Sequence, residues 1–184
     1  MVQNRDNLEL DIVLVLLNGK NHLRGIAKQL DESHSTVARR LDKLVKGDVV
    51  DFKQEGRNKV FFIRKTIQAK NYVFNAERHK LIKLLKKYPE LGIIIDDLLK
   101  KTKKSIVVLF GSYAKFSAKP QSDIDIYVQS MDRKVKVELE STNSKVKVKI
   151  GYFDLDSDLV KEIIKNHVIL KGTEEFYEKA RFFG

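Results

Sequence analysis

The segment LFGSYAKFSAKPQSDIDIYV, residues 109–128, constrains this chain more tightly than any other. Residues 105–110 (SIVVLF), β-branched and aromatic after Ser105, read as a fully buried strand. It stops abruptly at Gly111-Ser112. Residues 113–119 (YAKFSAK) are long enough for about two turns of helix, and Pro120 breaks them. A second strand then opens on SDIDIYV. Its alternation predicts Ile124, Ile126 and Val128 on one face and Asp123, Asp125 and Tyr127 on the other. The chain must therefore build a small sheet with two carboxylates on one face.

Carboxylates two residues apart on a strand lie ~6–7 Å apart at their Cα atoms and point the same way. With about 5 Å between the charges and an effective dielectric near 20, their repulsion is ~3 kcal/mol. A fold that keeps both ionised gains from a cation between them. Paired hard oxygen ligands suit Mg²⁺, which retains waters and completes its octahedron with substrate phosphates. Gly111 lets a phosphate approach the backbone, and Ser112, at the start of a helix, offers hydroxyl and amide donors. Phosphate on one side and metal on the other describe a nucleoside triphosphate site. No Gly-Lys-Ser/Thr follows the glycine, which excludes a P-loop. The blander reading is an aspartate pair at a strand edge, opposite lysines.

A buried strand, Gly-Ser, ten residues and Asp-x-Asp resemble the signature of the nucleotidyltransferase superfamily typified by DNA polymerase β, most closely its small minimal members. The resemblance implies that Gly111 and Ser112 hold the terminal phosphates of ATP or another nucleoside triphosphate, with Lys115 near them. It implies that Asp123 and Asp125 are the catalytic carboxylates and bind Mg²⁺. Phe116 stands where a glycine is usual. The resemblance also implies a third carboxylate from a later strand, here residues 145–153 (KVKVKIGYF). On that strand Val146, Val148 and Ile150 take the core face, and Lys145, Lys147 and Lys149 the other. Lys149 occupies about the place of the acid; Asp154 and Asp156 follow in the loop. Either one of these aspartates substitutes or the third carboxylate is absent. A lysine there can bind phosphate or replace a metal's charge, but is a poor base at neutral pH unless strongly desolvated. Between the strands, Val135, Val137 and Leu139 alternate like a strand, whereas the resemblance implies a helix.

The N-terminal third has a different pattern. Residues 8–17 read as a helix stopped by Asn18-Gly19, and a second helix places Leu23, Ile26, Ala27 and Leu30 on one face. A third, with Ser33 as N-cap, carries the stripe Val37, Leu41, Leu44, Val45 and ends at Gly47. Strands over residues 49–52 and 59–63 follow, joined by a polar turn in which Gly56 supplies positive φ. The residues LRGIAKQLDESHSTVARRLDKLVKGDVV and EGRNKVFF resemble archaeal and bacterial winged helix-turn-helix regulators. The resemblance implies double-stranded DNA as partner. His34, Ser35, Thr36, Arg39 and Arg40 would face the major groove, and Arg57 and Lys59 at the wing would meet phosphates. A winged helix used for dimerisation or protein docking is the alternative.

Charge agrees with a polyanionic partner, or with a lysine-rich solubility coat. Of the net charge of +11, all but one unit falls in residues 1–104. Residues 66–104 read as two lysine-rich helices interrupted at Pro89, a helical connector rather than a flexible linker, which holds its ends in fixed relation or carries a dimer interface. His79 reads as a surface residue and His167 as structural. The chain has no cysteine, which removes disulfides and cysteine-ligated zinc. The opening residues lack a leader pattern and the longest apolar runs are about six residues, so a soluble, cytoplasmic protein is expected. The expected architecture is α+β: a winged helix-turn-helix at 1–65, the connector at 66–104, and a small mixed sheet flanked by helices at 105–184 (a nucleotidyltransferase fold). Two functions are favoured over a third, a scaffold or dimeric adaptor with neither activity. One is Mg²⁺-dependent transfer of AMP from ATP to a macromolecular acceptor, such as a toxin-like protein. The other is DNA-binding regulation by a chain whose transferase domain binds nucleotide without turnover.

Overall fold

The computed structural model describes residues 7–103 and 106–184. Ser105, where the first expected strand of the sheet begins, and the opening residues read for a leader lie outside them. The chain divides into two units, Met1–His79 with Phe183, and Lys80–Phe182 with Gly184. Among the described residues no helix is long and apolar enough to cross a membrane.

The first unit contains α1 (Leu8–Leu17), a two-residue strand β1 (Asn21–His22), α2 (Leu23–Leu30), α3 (His34–Lys46), and the hairpin of β2 (Val50–Glu55) and β3 (Asn58–Ile63). Local chemistry sets the helix ends. Asp31 takes a left-handed φ of +52° after α2, and the Ser33 hydroxyl caps α3 by accepting from the Thr36 amide at 3.1 Å. Val37, Leu41 and Leu44 of α3 are buried together with Ile12, Val13 and Leu16 of α1 and Ile26 and Ala27 of α2. The hairpin differs in detail from the sequence reading. Pairing runs from Val50↔Ile63 to Glu55↔Asn58, so the turn is only Gly56-Arg57, with Gly56 at φ +59°. β1 adds on the other side of β3, and two residues are too few for periodicity to reveal. His79 is not a surface residue: its side chain is 13% exposed and its Nε2 lies 3.3 Å from Asp11 Oδ1. It belongs to α4 (Ile67–Lys87), whose remaining turns enter the second unit.

The second unit continues with α5 (Leu91–Lys101), β4 (Val107–Phe110), α6 (Gly111–Ala114), β5 (Ile124–Gln129), α7 (Arg133–Glu140), β6 (Val146–Gly151), α8 (Asp158–Lys165), β7 (Val168–Lys171) and α9 (Thr173–Lys179). Its sheet has the order β6-β5-β4-β7, with β5 and β6 parallel and the other pairs antiparallel. A parallel neighbour needs a crossover, and α7 supplies it. The Asp132 side chain starts that helix by accepting from the Lys134 amide at 2.9 Å. The strand-like alternation of Val135, Val137 and Leu139 therefore does not reflect a strand, and of the three only Leu139 is deeply buried.

One face of this sheet buries Val107, Leu109, Ile124, Ile126, Val128, Val146 and Val148 in a core shared with Leu84, Leu91, Ile95, Leu98 and Leu139. The opposite face is only partly polar. Tyr127, expected beside the aspartates, does alternate with them but is fully buried, because an aromatic layer covers its end of the strand. Phe153 packs on Tyr127 with ring centroids 6.2 Å apart, Phe176 on Phe153 at 5.3 Å, and His167 on Phe176 at 4.6 Å. The Tyr127 hydroxyl donates to the Gly151 carbonyl at 3.1 Å, and burial pushes its pKa up to about 12. The polar part of that face is left to the N-terminal end of β5.

Candidate functional site

β4 delivers its chain directly into α6, which begins at Gly111 with φ +70°. The helix is one turn long, not the two turns expected over residues 113–119. Its end explains why: the Phe116 amide donates to the Tyr113 carbonyl at 2.9 Å and the Ser117 amide to the Ser112 carbonyl at 3.0 Å. These two bonds form a Schellman closure with Phe116 left-handed at φ +56°. A glycine occupies that conformation without strain, which gives a physical reason for the glycine usual there.

Register sets the carboxylate. Asp125 pairs with Phe110 across the antiparallel strands, which brings its side chain against the next residue, Gly111. A Cβ built on Gly111 would collide with the Asp125 Oδ2 atom and stand 3.1 Å from its Cγ. Asp125 is half-buried on β5, whereas Asp123 is exposed and sits just before the strand begins. Burial and the Asp123 charge push the Asp125 carboxyl above its ordinary range; Lys149 opposes this, and Glu162 adds to it. Gly111, Ser112, Asp123 and Asp125 thus form one neighbourhood at the N-terminal end of β5.

The family model for polymerase beta nucleotidyltransferases matches residues 79–176, more than half of the chain. The chain belongs to this family. A protein of Methanocaldococcus jannaschii, provisionally named a protein adenylyltransferase, is 39% identical over 69 residues. That match covers 37% of this chain and 56% of the relative, so the chain spans little more than half the relative's length. Two solved structures are distant likenesses. One is an adhesin competence repressor of Streptococcus pyogenes, 24% identical, covering 48% of this chain and 72% of that one with a TM-score of 0.37. The other is a toxin-antitoxin crystallised with AMP-PNP, 22% identical, covering 57% and 85% with a TM-score of 0.33.

Around the carboxylate pair of this nucleotidyltransferase domain, charges are already partnered. Lys115, at the end of α6, forms an ion pair with Glu162 of α8 at 3.1 Å. Glu162 escaped the sequence reading because only the fold of α8 against the sheet shows that its charge reaches Asp125. Asp154 and Asp156 are not brought to the pair. Among the described residues no three His, Cys, Asp or Glu side chains gather closely enough to hold a metal ion. The two aspartates line a different depression of about 750 Å³ with Glu175, Glu178, Lys179 and Arg181. On β6, Val146 and Val148 are buried and Lys147 and Lys149 exposed, in register with Asp125 and Tyr127 respectively.

In the first unit the seven residues expected to meet DNA have unequal surroundings. His34, Ser35 and Arg39 are exposed on α3. The Thr36 hydroxyl is engaged in the helix cap, accepting from the Ser33 hydroxyl at 2.8 Å. Arg40 turns back to Glu9 of α1 at 3.1 Å, a carboxylate it shares with Lys43 at 2.9 Å. Arg57 and Lys59 are exposed at the hairpin, where they line a depression of about 400 Å³ with His22, Arg24 and Gln54. Arg24 was missed because its place beside the hairpin depends on β1.

Proposed function

We propose that this chain binds MgATP at Gly111, Ser112, Asp123 and Asp125 and transfers AMP to a protein acceptor, with the first unit acting as a DNA-binding winged helix. The single observation that carries the nucleotide reading is the packing of the Asp125 carboxylate against the left-handed Gly111. It supports the reading because a backbone without a side chain, open to a phosphate, lies beside the Asp125 carboxylate, with Asp123 two residues away.

The residues present fit a divalent cation. Burial and Asp123 already disfavour the ionised Asp125, so a cation between the two carboxylates relieves a cost that exists in the fold. Two carboxylates, with waters and substrate phosphates, satisfy the coordination habits of Mg²⁺. Asp123 and Asp125 would hold the ion, which when bound neutralises charge on the transferred phosphorus and orients the triphosphate. Ser112 and the amides of α6 would hold terminal phosphate oxygens, with Lys115, now paired with Glu162, as a further cation at the end of that helix. AMP as the transferred group, and a protein as its acceptor, rest on the name of the Methanocaldococcus relative. Incubation with α-labelled ATP, Mg²⁺ and candidate acceptors, this chain included, tests the reading. Label transfer lost in Asp123→Asn supports it; no transfer to any acceptor overturns it.

One observation favours the alternative of a nucleotide-sensing DNA regulator. Among the described residues no third carboxylate gathers with Asp123 and Asp125 closely enough to share a metal ion, although the Glu162 charge reaches Asp125. Binding needs fewer groups than turnover, in which a base must take the acceptor's proton. The DNA reading rests on the three helices and hairpin of the first unit, the exposed His34, Ser35 and Arg39, and the basic cluster Arg24, Arg57 and Lys59. A homodimer on palindromic DNA is the form this reading expects.

A further inference from the structure

The last turn of α4 closes on the segment that carries Gly111 and Ser112. Leu84 is buried in the core of the second unit, and Tyr88 meets Tyr113 of α6 edge to face, with ring centroids 5.0 Å apart. Between these two anchors Lys87 reaches the end of α6. Its ammonium donates to the Phe116 carbonyl at 2.5 Å and lies 6.0 Å from the centre of the Phe116 ring. Phe116 is the residue that ends α6 left-handed at φ +56°, where a phenylalanine carries a conformational cost that glycine does not. The bonds of that turn lead directly back to the site. The Lys115 amide donates to the Gly111 carbonyl at 3.2 Å, and the Ser117 amide and hydroxyl to the Ser112 carbonyl at 3.0 and 3.4 Å.

A basic side chain that bonds the last carbonyls of a helix stabilises the turn that ends it. Were Phe116 to relax to a negative φ, the Ser117 bonds to Ser112 would open and the chain from Gly111 would lose its fixed place. We propose that Lys87 is a positioning residue for the nucleotide site: by bonding the Phe116 carbonyl it holds the left-handed turn that keeps Gly111 and Ser112 beside Asp125. Lys87 acts through Phe116 and touches neither phosphate nor metal. The proposal rests on the reading of Gly111, Ser112, Asp123 and Asp125 as a nucleotide site and adds the residue that braces it. It also accounts for Phe116 in a conformation suited to glycine, because the bond from α4 supplies the restraint that the residue's own preference lacks.

Calorimetric titration of a methylene-bridged ATP analogue with Mg²⁺ into the full chain tests this, as wild type, Lys87→Met, Phe116→Gly and the double variant. Lys87→Met removes the ammonium and keeps the bulk of the stem. It should weaken the analogue about fivefold beside Phe116 and less than about twofold beside Gly at that position, where the turn forms without a clamp. Hydrogen exchange of the ligand-free chain over residues 111–117 should quicken in Lys87→Met and not quicken further when the same change is made in Phe116→Gly. Circular dichroism verifies folding, and Phe116→Asn, which also tolerates the left-handed turn, replaces Phe116→Gly if that chain does not fold. A lysine acting by long-range attraction would lose the same affinity in both backgrounds, and that result overturns the proposal. Unchanged affinity or unchanged exchange in folded Lys87→Met overturns it as well, and leaves the nucleotide site standing. If the wild-type chain binds no analogue, the nucleotide reading itself fails and the proposal falls with it.

Discussion

The Asp125 carboxylate occupies the space that a Cβ on Gly111 would take. Two requirements of different origin meet at this contact. Gly111 must be glycine for its φ of +70° and for the side chain beside it, and Asp125 is held half-buried with another carboxylate two residues away. On the proposed reading, function and stability are opposed at Asp125, because the ionised form that a cation would need is the one the fold disfavours.

Asp125→Asn should stabilise the ligand-free protein while removing its response to nucleotide. The fold raises the Asp125 pKa, so between the ordinary carboxylate range and that raised value the folded state binds more protons than the unfolded one. Stability then falls as pH rises through this window. Removing the charge with an isosteric amide should raise Tm at pH 7. Thermal melts from pH 4 to 7 should show the decline flattened in the variant. MgATP should raise the wild-type Tm and leave the variant's unchanged. A variant that melts lower than wild type at pH 7 contradicts the argument.

Gly111→Ala should damage both fold and site. The new methyl meets a carboxylate fixed on a central strand, and an L-residue at φ +70° carries a backbone cost of about 1–2 kcal/mol before the clash is counted. Chemical denaturation should show a loss above 2 kcal/mol, with nucleotide affinity falling at least tenfold. Gly92→Ala, on α5 with nothing near its added Cβ, serves as the control and should stay within about 1 kcal/mol of wild type.

The sequence carried β2 to β6, the pairing of Gly-Ser with Asp-x-Asp and the three N-terminal helices because each rests on a local pattern, and left β1 and β7 unseen. Alternation along β5 is written in Ile124, Ile126 and Val128, and the α3 stripe in Val37, Leu41 and Leu44. What stayed hidden depends on tertiary placement. Tyr127 looks polar-facing until Phe153 and Phe176, from later in the chain, cover it. The single turn of α6 depends on Phe116 adopting a conformation that its side chain does not announce. Glu162 lies 37 residues beyond Asp125 in sequence, and no spacing rule links a helix residue to a carboxylate on another element. For α7 the alternation of Val135, Val137 and Leu139 pointed the wrong way; the parallel register of β5 and β6 is what requires a helix there.

Arg39 and Arg40 should separate into different roles although they are neighbours. Arg40 is bound to Glu9, whose side chain is only 12% exposed, so Arg40→Ala leaves that carboxylate to Lys43 and to the Tyr72 hydroxyl, which donates to it at 3.5 Å. It should cost about 1 kcal/mol of stability with a small effect on DNA affinity. Arg39 is exposed and has no such partner among the described residues, so Arg39→Ala combined with Arg57→Ala should leave Tm within about 2 °C and weaken duplex binding about tenfold. Electrophoretic mobility shifts across 50–200 mM salt measure this, and the double variant's log-log salt slope should be shallower by one to two units. Equal binding by wild type and double variant at low salt would remove the groove assignment.

The Lys115–Glu162 ion pair gives a last prediction, on nucleotide affinity. Lys115 ends the helix whose first residues are read as the phosphate cradle, and Glu162 both holds it and adds negative charge at Asp125. A triphosphate competing for Lys115 must therefore break the pair. Both side chains are more than 40% exposed, so the pair itself is worth ~0.2–1 kcal/mol. Glu162→Gln should free Lys115 and tighten binding of an ATP analogue about threefold to fivefold, with little change in Tm. Lys115→Ala should weaken it by a similar factor. In Lys115→Ala the added Glu162→Gln change should have little further effect, since the two substitutions act through one contact. Fluorescence titrations of the four proteins complete this double-mutant cycle. Additive effects would mean that Glu162 acts on the nucleotide through Asp125 and the metal, and that Lys115 is not the residue it restrains.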